Sequence, residues 1–303
     1  MINRVLQKIS SLSDLVFYLI VYLVSVFALI ITLYPFLYTI SMSFSVTEAV
    51  NANKVWLYPV GFTLQGYKKV FENKQIFISF YNTLLYTVAG TAANIVAICL
   101  AAYPLSKANF CLRKPLNMLI SFSMYFSAGM MPNYILLTSM GFYNNRLVMI
   151  IPSLVITGYV MMCRSAFSEI PLEMTESARI DGAGDWTILL RIAVPLVRPT
   201  LAVLTLYCAV FHWNDFFTPM IYITDSSKEP MQLLLRRVVV MASNEMSEKL
   251  GALMSNVNMG KQEAIKRQIR YVTIVVSTVP ILVAYPFLQR YFVRGIMVGA
   301  IKG

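Results

Sequence analysis

No charged residue interrupts the chain from Leu15 to Thr47, and four further stretches are comparably free of charge: Gln75–Ser106, Pro115–Asn145, Leu147–Cys163 and Tyr271–Gln289. A sixth apolar run, Pro199–Asn214, continues through Asp215 to Thr224. A helix of roughly 20 apolar residues crosses a bilayer's hydrocarbon core. The expected fold is therefore an all-α integral membrane protein of six transmembrane helices. Composition agrees: 58% of the 303 residues are hydrophobic and only 13% are charged, about half the charged share of soluble domains. Prolines 35, 104, 132, 152, 219, 280 and 286 fall in or at the ends of these runs. Membrane helices tolerate such breaks where neighbours satisfy the freed carbonyls.

Arg4 and Lys8 precede the first run, as in a signal peptide, but the run is too long for a signal core and no A-x-A site follows. It reads as a retained helix. The net charge of +11 sits in short segments between apolar runs. Anionic headgroups and an acidic partner surface account for it better than nucleic acid. Cys99, Cys163 and Cys208 lie in or beside apolar runs and read as small buried hydrophobes. His212 is the single histidine, which excludes any metal or catalytic scheme needing two; no catalytic, cofactor or metal residue is expected. Six spans put both termini and Arg164–Arg198 on one side. Lysine and arginine number 12 on that side and 13 on the other, so the positive-inside rule leaves orientation open.

The segment Arg164–Arg198 carries more information. Pro171 suits a helix's first turn, and Glu173 and Glu176 favour its positive end. The helix should stop near Asp181-Gly182, where glycine permits a left-handed turn. Asp185 is the expected N-cap of a second short helix, Trp186–Ile192, with Pro195 before the next span. The expectation is a helix–turn–helix outside the membrane, presenting an apolar face of Leu172, Ala178, Ile180 and Ala183. An ordinary interhelical turn is the plainer alternative. Gly182-Ala183-Gly184-Asp185 also fits the G-x-G-D of intramembrane aspartyl proteases, but that motif belongs in a span and needs a Tyr-Asp that this chain lacks.

Within the runs, Asp215 is the only carboxylate expected inside a span, and such a group is a functional candidate by default. Solute contact and a structural or gating hydrogen bond, through His212 or Asn214, are both open. Asn82 and Tyr86, spaced i,i+4, share a helix face; with Asn94, Tyr125, Asn133 and Tyr159 they offer the aromatic–hydroxyl lining that suits sugars. Tyrosine also belongs to interfacial belts. The long Asp225–Arg270 segment is expected to meet an external protein, or simply to cap the bundle.

Glu176-Ser177-Ala178, three residues, Gly182, nine residues, then Ile192-x-Val194-Pro195 resembles the E-A-A-x3-G-x9-I-x-L-P signature of binding-protein-dependent ABC importer permeases. Ser177 and Val194 depart mildly from it, while Asp181-Gly182-Ala183 matches the usual D-G-A. Trp213-Asn214-Asp215-Phe216 and the Tyr285–Gly303 tail resemble the maltose-type carbohydrate permeases, nearest their oligosaccharide and polysaccharide (alginate-type) branch. The resemblance implies a type I permease fold with residues 1–74 forming an N-terminal helix and external loop. Residues 75–290 would form the permease core and 291–303 a cytoplasmic tail. It implies a cytoplasmic coupling helix carrying Glu173, Glu176, Ser177, Ala178, Asp181, Gly182, Ala183, Ile192 and Pro195. The candidate pathway or gating residues, taken from the runs themselves and from the 212–215 stretch, are Asn82, Tyr86, Tyr125, Asn133, Tyr159, His212, Trp213, Asn214 and Asp215. The implied function is carbohydrate import across a bacterial cytoplasmic membrane, termini cytoplasmic, by alternating access. Implied partners are a second, different permease chain, two ATP-binding subunits, an external solute-binding protein and membrane lipid, with no nucleic acid. The chain lacks a phosphate-binding loop, so ATP and Mg would sit on the partner ATPase, with no cofactor on this chain and no enzyme activity of its own. A non-sugar solute is the alternative reading. An ion-coupled carrier would want paired intramembrane charges and repeats; a membrane enzyme or a non-transporting receptor is a further rival.

Overall fold

The computed structural model describes residues 12–249, 267–280 and 282–283, and among them every regular element is helical. Two compact units divide at Glu72/Asn73, with Met241–Val276 belonging to the first.

The first unit opens with α1, Leu12–Phe44. Its most apolar 18-residue window, within Val16–Phe44, has mean hydropathy 2.7 and holds no buried residue. Its hydroxyls fold back onto the helix: Thr32 donates to Ala28 O at 2.8 Å and Thr39 to Pro35 O at 2.7 Å. The helix thereby offers lipid few free polar groups. At its end, α2 (Thr47–Asn51), α3 (Gln65–Glu72) and the helical residues 267–280, here α14, form a small cap. Met42, Ala49, Val50 and Val55 fill its core. Buried Gln268 ties it together, donating to Ser45 O at 2.7 Å and accepting from Thr47 Oγ1 at 3.2 Å.

The second unit is built on α4, Lys74–Ser106. Its 33 residues make a rod of about 50 Å at 1.5 Å per residue. The unit also contains α5 (Arg113–Tyr125), α6 (Met130–Ser139), α7 (Thr157–Ser168), α8 (Leu172–Ile180), α9 (Asp185–Ile188), α10 (Val194–Leu196), α11 (Arg198–Asn214), α12 (Phe217–Tyr222) and, as far as Val240, α13 (Met231–Lys249). A π-helical turn, Leu189–Ala193, joins α9 to α10. Pro195 explains it: proline has no N–H, and its ring would clash with the carbonyl four residues back, so the turn widens ahead of it. One core cluster, including Ile98, Ala102, Tyr103, Cys163, Ile188, Leu189 and Leu204, joins α4, α7, α9 and α11. A second, around Tyr86, Val148, Met149 and Tyr222, lies near the start of α4. Cys99, Cys163 and Cys208 are buried free thiols.

Three apolar runs differ from the expectation of one helix each, Pro199–Thr224 among them, whose helix stops at Asn214 and resumes at Phe217. Pro115–Asn145 is broken at Phe126–Gly129, where Gly129 has φ +85°, Pro132 follows closely, and α6 begins afresh. Leu147–Cys163 is a 3₁₀ turn, Arg146–Met149, then irregular backbone past Pro152; it becomes α-helical only at Thr157. Among the described residues two helices, within α1 and α4, are individually long and apolar enough to cross a membrane. Asp185–Leu196 with Arg198–Tyr222, bent by 83°, makes a third if taken as one span. The outer part of the Tyr271–Gln289 run, the residues 250–266 of the long loop and the tail at 291–303 lie outside the described residues.

Candidate functional site: a rooted helix–turn–helix and a clamped loop

Helix α8 ends as its sequence requires. Gly182, at φ +83°, occupies the left-handed position that costs other residues about 1–2 kcal/mol. Gly182 N–H bonds Arg179 O at 3.0 Å, and Ala183 N–H reaches Ala178 O at 2.9 Å, a paired closure that satisfies the last carbonyls. Asp185 differs from expectation. It is the first residue of α9 rather than its cap, and it makes no capping bond. Its carboxylate instead accepts from Arg179 at 2.8 Å, bridging the turn. That contact holds the Arg179 guanidinium further in its charged form.

The four apolar residues expected on one face divide between two. Ala178 and Ala183 pack on the core cluster, and Thr175 is buried beside them. Leu172 and Ile180 point outward, 61% and 87% exposed, joined by Met174 and Trp186. Glu173, Glu176, Ser177 and Asp181 are exposed around them, whereas Ile192 and Pro195 are half-buried behind. The segment is thus anchored on one side and presents an apolar patch rimmed by acids on the other. Exposed apolar groups on a rooted element make this a candidate contact surface.

The expected pathway residues fall into separate groups. Asn82 and Tyr86 do share a face, but that face holds a loop. Asn82 Nδ2 donates to Ser227 O at 2.8 Å and Glu229 O at 3.2 Å, and Tyr86 Oη donates to Lys228 O at 2.9 Å. Thr83 Oγ1 accepts from Met231 N at 2.7 Å, and Gln75 Nε2 donates to Ser226 O at 2.6 Å. Sequence reasoning misses Thr83 and Gln75, although both lie on the Asn82 side of the helix. The clamped turn begins with Asp225, whose carboxylate accepts from Ser227 N at 2.9 Å and is thereby held below the usual carboxylate range. It ends at Glu229, 1% exposed, paired with Arg237 at 3.1 Å. Burial pushes the Glu229 carboxyl up, and Arg237 offsets part of that.

His212 bonds neither Asp215 nor Asn214. Its Nε2 meets Asn94 Oδ1 at 2.6 Å, while Asn94 Nδ2 donates to Ser153 O and Leu154 O at 2.6 and 2.9 Å. With the Asn94 amide so committed, His212 Nε2 carries the proton. Gly90 makes room: a Cβ there would lie 2.5 Å from the same nitrogen. Asp215 sits between α11 and α12, where its Oδ1 accepts from Thr218 N at 3.0 Å and caps the short helix. Asn214 donates back to Val210 O. Trp213 meets Phe80 edge-on at 6.1 Å, and Tyr159 stacks on Tyr207 at 5.8 Å. Tyr125, 91% exposed, and Asn133 flank the break between α5 and α6.

Helical elements throughout the described residues, helices long and apolar enough to cross a membrane, a rooted helix–turn–helix and a broken Pro199–Thr224 run suit a membrane permease subunit. Residues 93–297 match the family model described as binding-protein-dependent transport system inner membrane component, and the chain belongs to that family. It is 35% identical over 277 residues to the polygalacturonan/rhamnogalacturonan transport system permease protein YtcP of Bacillus subtilis (strain 168), covering 91% of this chain and 94% of that one. Protein LplC of the same organism is 36% identical over 273 residues, 90% of each chain. In the crystal structure of a bacterial ABC transporter involved in the import of the acidic polysaccharide alginate, one chain is 30% identical. It superposes with a TM-score of 0.85 over 94% of this chain and 99% of that chain.

Proposed function

We propose that this chain is the permease subunit of an ATP-driven importer that carries an oligo- or polysaccharide from an external binding protein into the cytoplasm. The exposed Leu172–Ile180–Trp186 patch on a rooted, acid-rimmed turn is the observation that carries the docking part of this reading. A rigid element of this kind enters a partner's cleft and passes on rigid-body movement, the behaviour required of a coupling helix against an ATP-binding subunit. That assignment makes 164–198 cytoplasmic and the clamped 225–231 turn external, beside the binding protein. Six spans follow if the broken runs at 115–145 and 147–168 each cross once and the run at 271–289 crosses last. α5 and α6 contain no buried residue, in keeping with a half-pathway completed by a second permease chain. ATP and Mg belong to the partner subunits, whose closure would drive alternating access. The carbohydrate assignment draws on the relatives, whose names include polygalacturonan, rhamnogalacturonan and alginate.

Gly182→Trp tests the docking step. Nothing lies within 4 Å of a Cβ built at Gly182, so the variant's cost comes from the left-handed backbone and from the bulk added to the docking surface. Co-purification with the ATPase and uptake in proteoliposomes should both be lost. Normal assembly and uptake would refute the reading. The solute is identified by calorimetry of the cognate binding protein against neutral and acidic oligosaccharides, with a saccharide expected among the binders.

A further inference from the structure

A cavity of about 450 Å³ lies where the end of α4 meets α9, within the size range of small-ligand sites. Its lining is amphipathic. Leu100, Pro104, Phe110 and Leu189 form apolar walls, and Lys107, Arg179, Asp185 and Trp186 stand at the polar side. Asp185 is engaged by Arg179. Lys107 is half-buried, makes no ion pair or side-chain hydrogen bond among the described residues, feels the opposed charges of Arg179 and Asp185, and rests over the Tyr103 ring at 4.8 Å. The Tyr103 hydroxyl, in the same wall and 7% exposed as a residue, likewise has no partner. The charged groups around the cavity sum to one net positive charge, held where water is partly excluded.

The apolar side of the cavity does not end at its rim. Leu84, Val88, Ala92, Val96 and Leu100, each four residues apart, form an exposed row winding along α4 to the cavity mouth. An occupant with an acyl chain on that row and an anionic head at Lys107 would match both features. Trp186, 66% exposed, supplies the aromatic side chain that favours the headgroup level. We propose that this cavity binds the headgroup of an anionic phospholipid, with Lys107 meeting the phosphate and the acyl chains lying along α4. Because Arg179, Asp185 and Trp186 belong to the docking segment, the bound lipid would brace that segment against the membrane. The proposal rests on the membrane placement of α4 and on the 164–198 segment lying at the bilayer face.

The assembled transporter is reconstituted in phosphatidylcholine vesicles containing phosphatidylglycerol with a photoactivatable acyl chain. Lipid adducts are then mapped by mass spectrometry. Adducts are expected on Leu84–Phe110 and near Trp186, and unlabelled phosphatidylglycerol should compete them away. Lys107→Gln should reduce them about tenfold, the loss of one charge-assisted contact, while Lys107→Arg retains them. Tyr103→Phe is expected to weaken labelling less, through the lost hydroxyl. Equal labelling by photoactivatable phosphatidylcholine would overturn the proposal, because no headgroup is then selected. Competition by millimolar inorganic phosphate would overturn it in favour of a soluble anion. Protein–protein cross-links at these positions in place of lipid adducts would overturn it in favour of a partner chain. Labelling is read without transport, so its failure leaves ATPase docking standing. Conversely, loss of docking in Gly182→Trp should leave the adducts in place.

Discussion

Glu229 shows how one side chain can set the pH response of a loop. It is buried at the end of the turn that Asn82 and Tyr86 hold, and burial raises its carboxyl above the ordinary range. A carboxyl raised in the folded chain favours folding fully only below its unfolded value, near pH 4.3. That contribution is lost as pH rises through the raised folded value. Glu229→Gln keeps the neutral form at every pH. It also gives up the pair with Arg237, whose half-exposed guanidinium makes the loss small. The melting temperature of the variant should therefore match wild type near pH 4 and exceed it increasingly toward pH 8, by roughly 2–4 °C for each kcal/mol gained. A difference that stays flat with pH would show that burial of the charge is not what matters. Residue-scale features are legible where the cause is local. Gly182 can be assigned a left-handed turn from its neighbours alone, and the structure has it at φ +83°. Asp185 does not act as the cap its position suggests, because its carboxylate serves Arg179 six residues earlier, a choice that depends on the turn's three-dimensional closure.

At the scale of elements, the break between α11 and α12 turns on Asp215. A carboxylate in a span suggests charge chemistry, but its bond to Thr218 N needs only an acceptor, and an N-cap of this kind contributes about 1 kcal/mol. Asp215→Ser should keep the cap and most of the transport rate. Asp215→Ala should lose the cap and transport together, with solute selectivity unchanged in whatever uptake remains. If Ser and Ala fall equally, or selectivity shifts, the charge itself acts on the solute. The legible helices are those whose charge-free length coincides with a continuous helix, α1 and α4. The breaks at Phe126–Gly129 and 150–156 are not legible, because proline and glycine in a membrane run are compatible with an unbroken helix as well as a broken one. The spacing of Asn82 and Tyr86 places them on one face correctly. What they face is a turn some 145 residues further on, and no local pattern encodes that pairing.

Within the second unit, the segment proposed to dock and the clamped turn lie at opposite ends of α4, and between them sits a polar node. The core cluster packs α8, α9 and the end of α4 against α11. Asn94 and His212 then tie α4 to α11 and to the irregular backbone at 153–154. The contact is close enough that residue 90 must lack a Cβ. If a movement imposed at Gly182 reaches the α11–α12 break through this node, loss of the node uncouples the two ends. Asn94→Leu is similar in size but leaves the Ser153 and Leu154 carbonyls and the His212 N–H without partners, at a cost on the order of 2–4 kcal/mol. The docking surface, some distance along the chain, should be untouched, so the variant should still bind the ATPase and hydrolyse ATP. Uptake per ATP should fall severalfold in proteoliposomes, because the driven end and the solute end no longer move as one body. If hydrolysis and uptake fall in proportion, the node supports assembly rather than transmission. If neither falls, the coupling runs through the apolar core alone, and the buried Asn94–His212 pair serves only to set the register between the two helices.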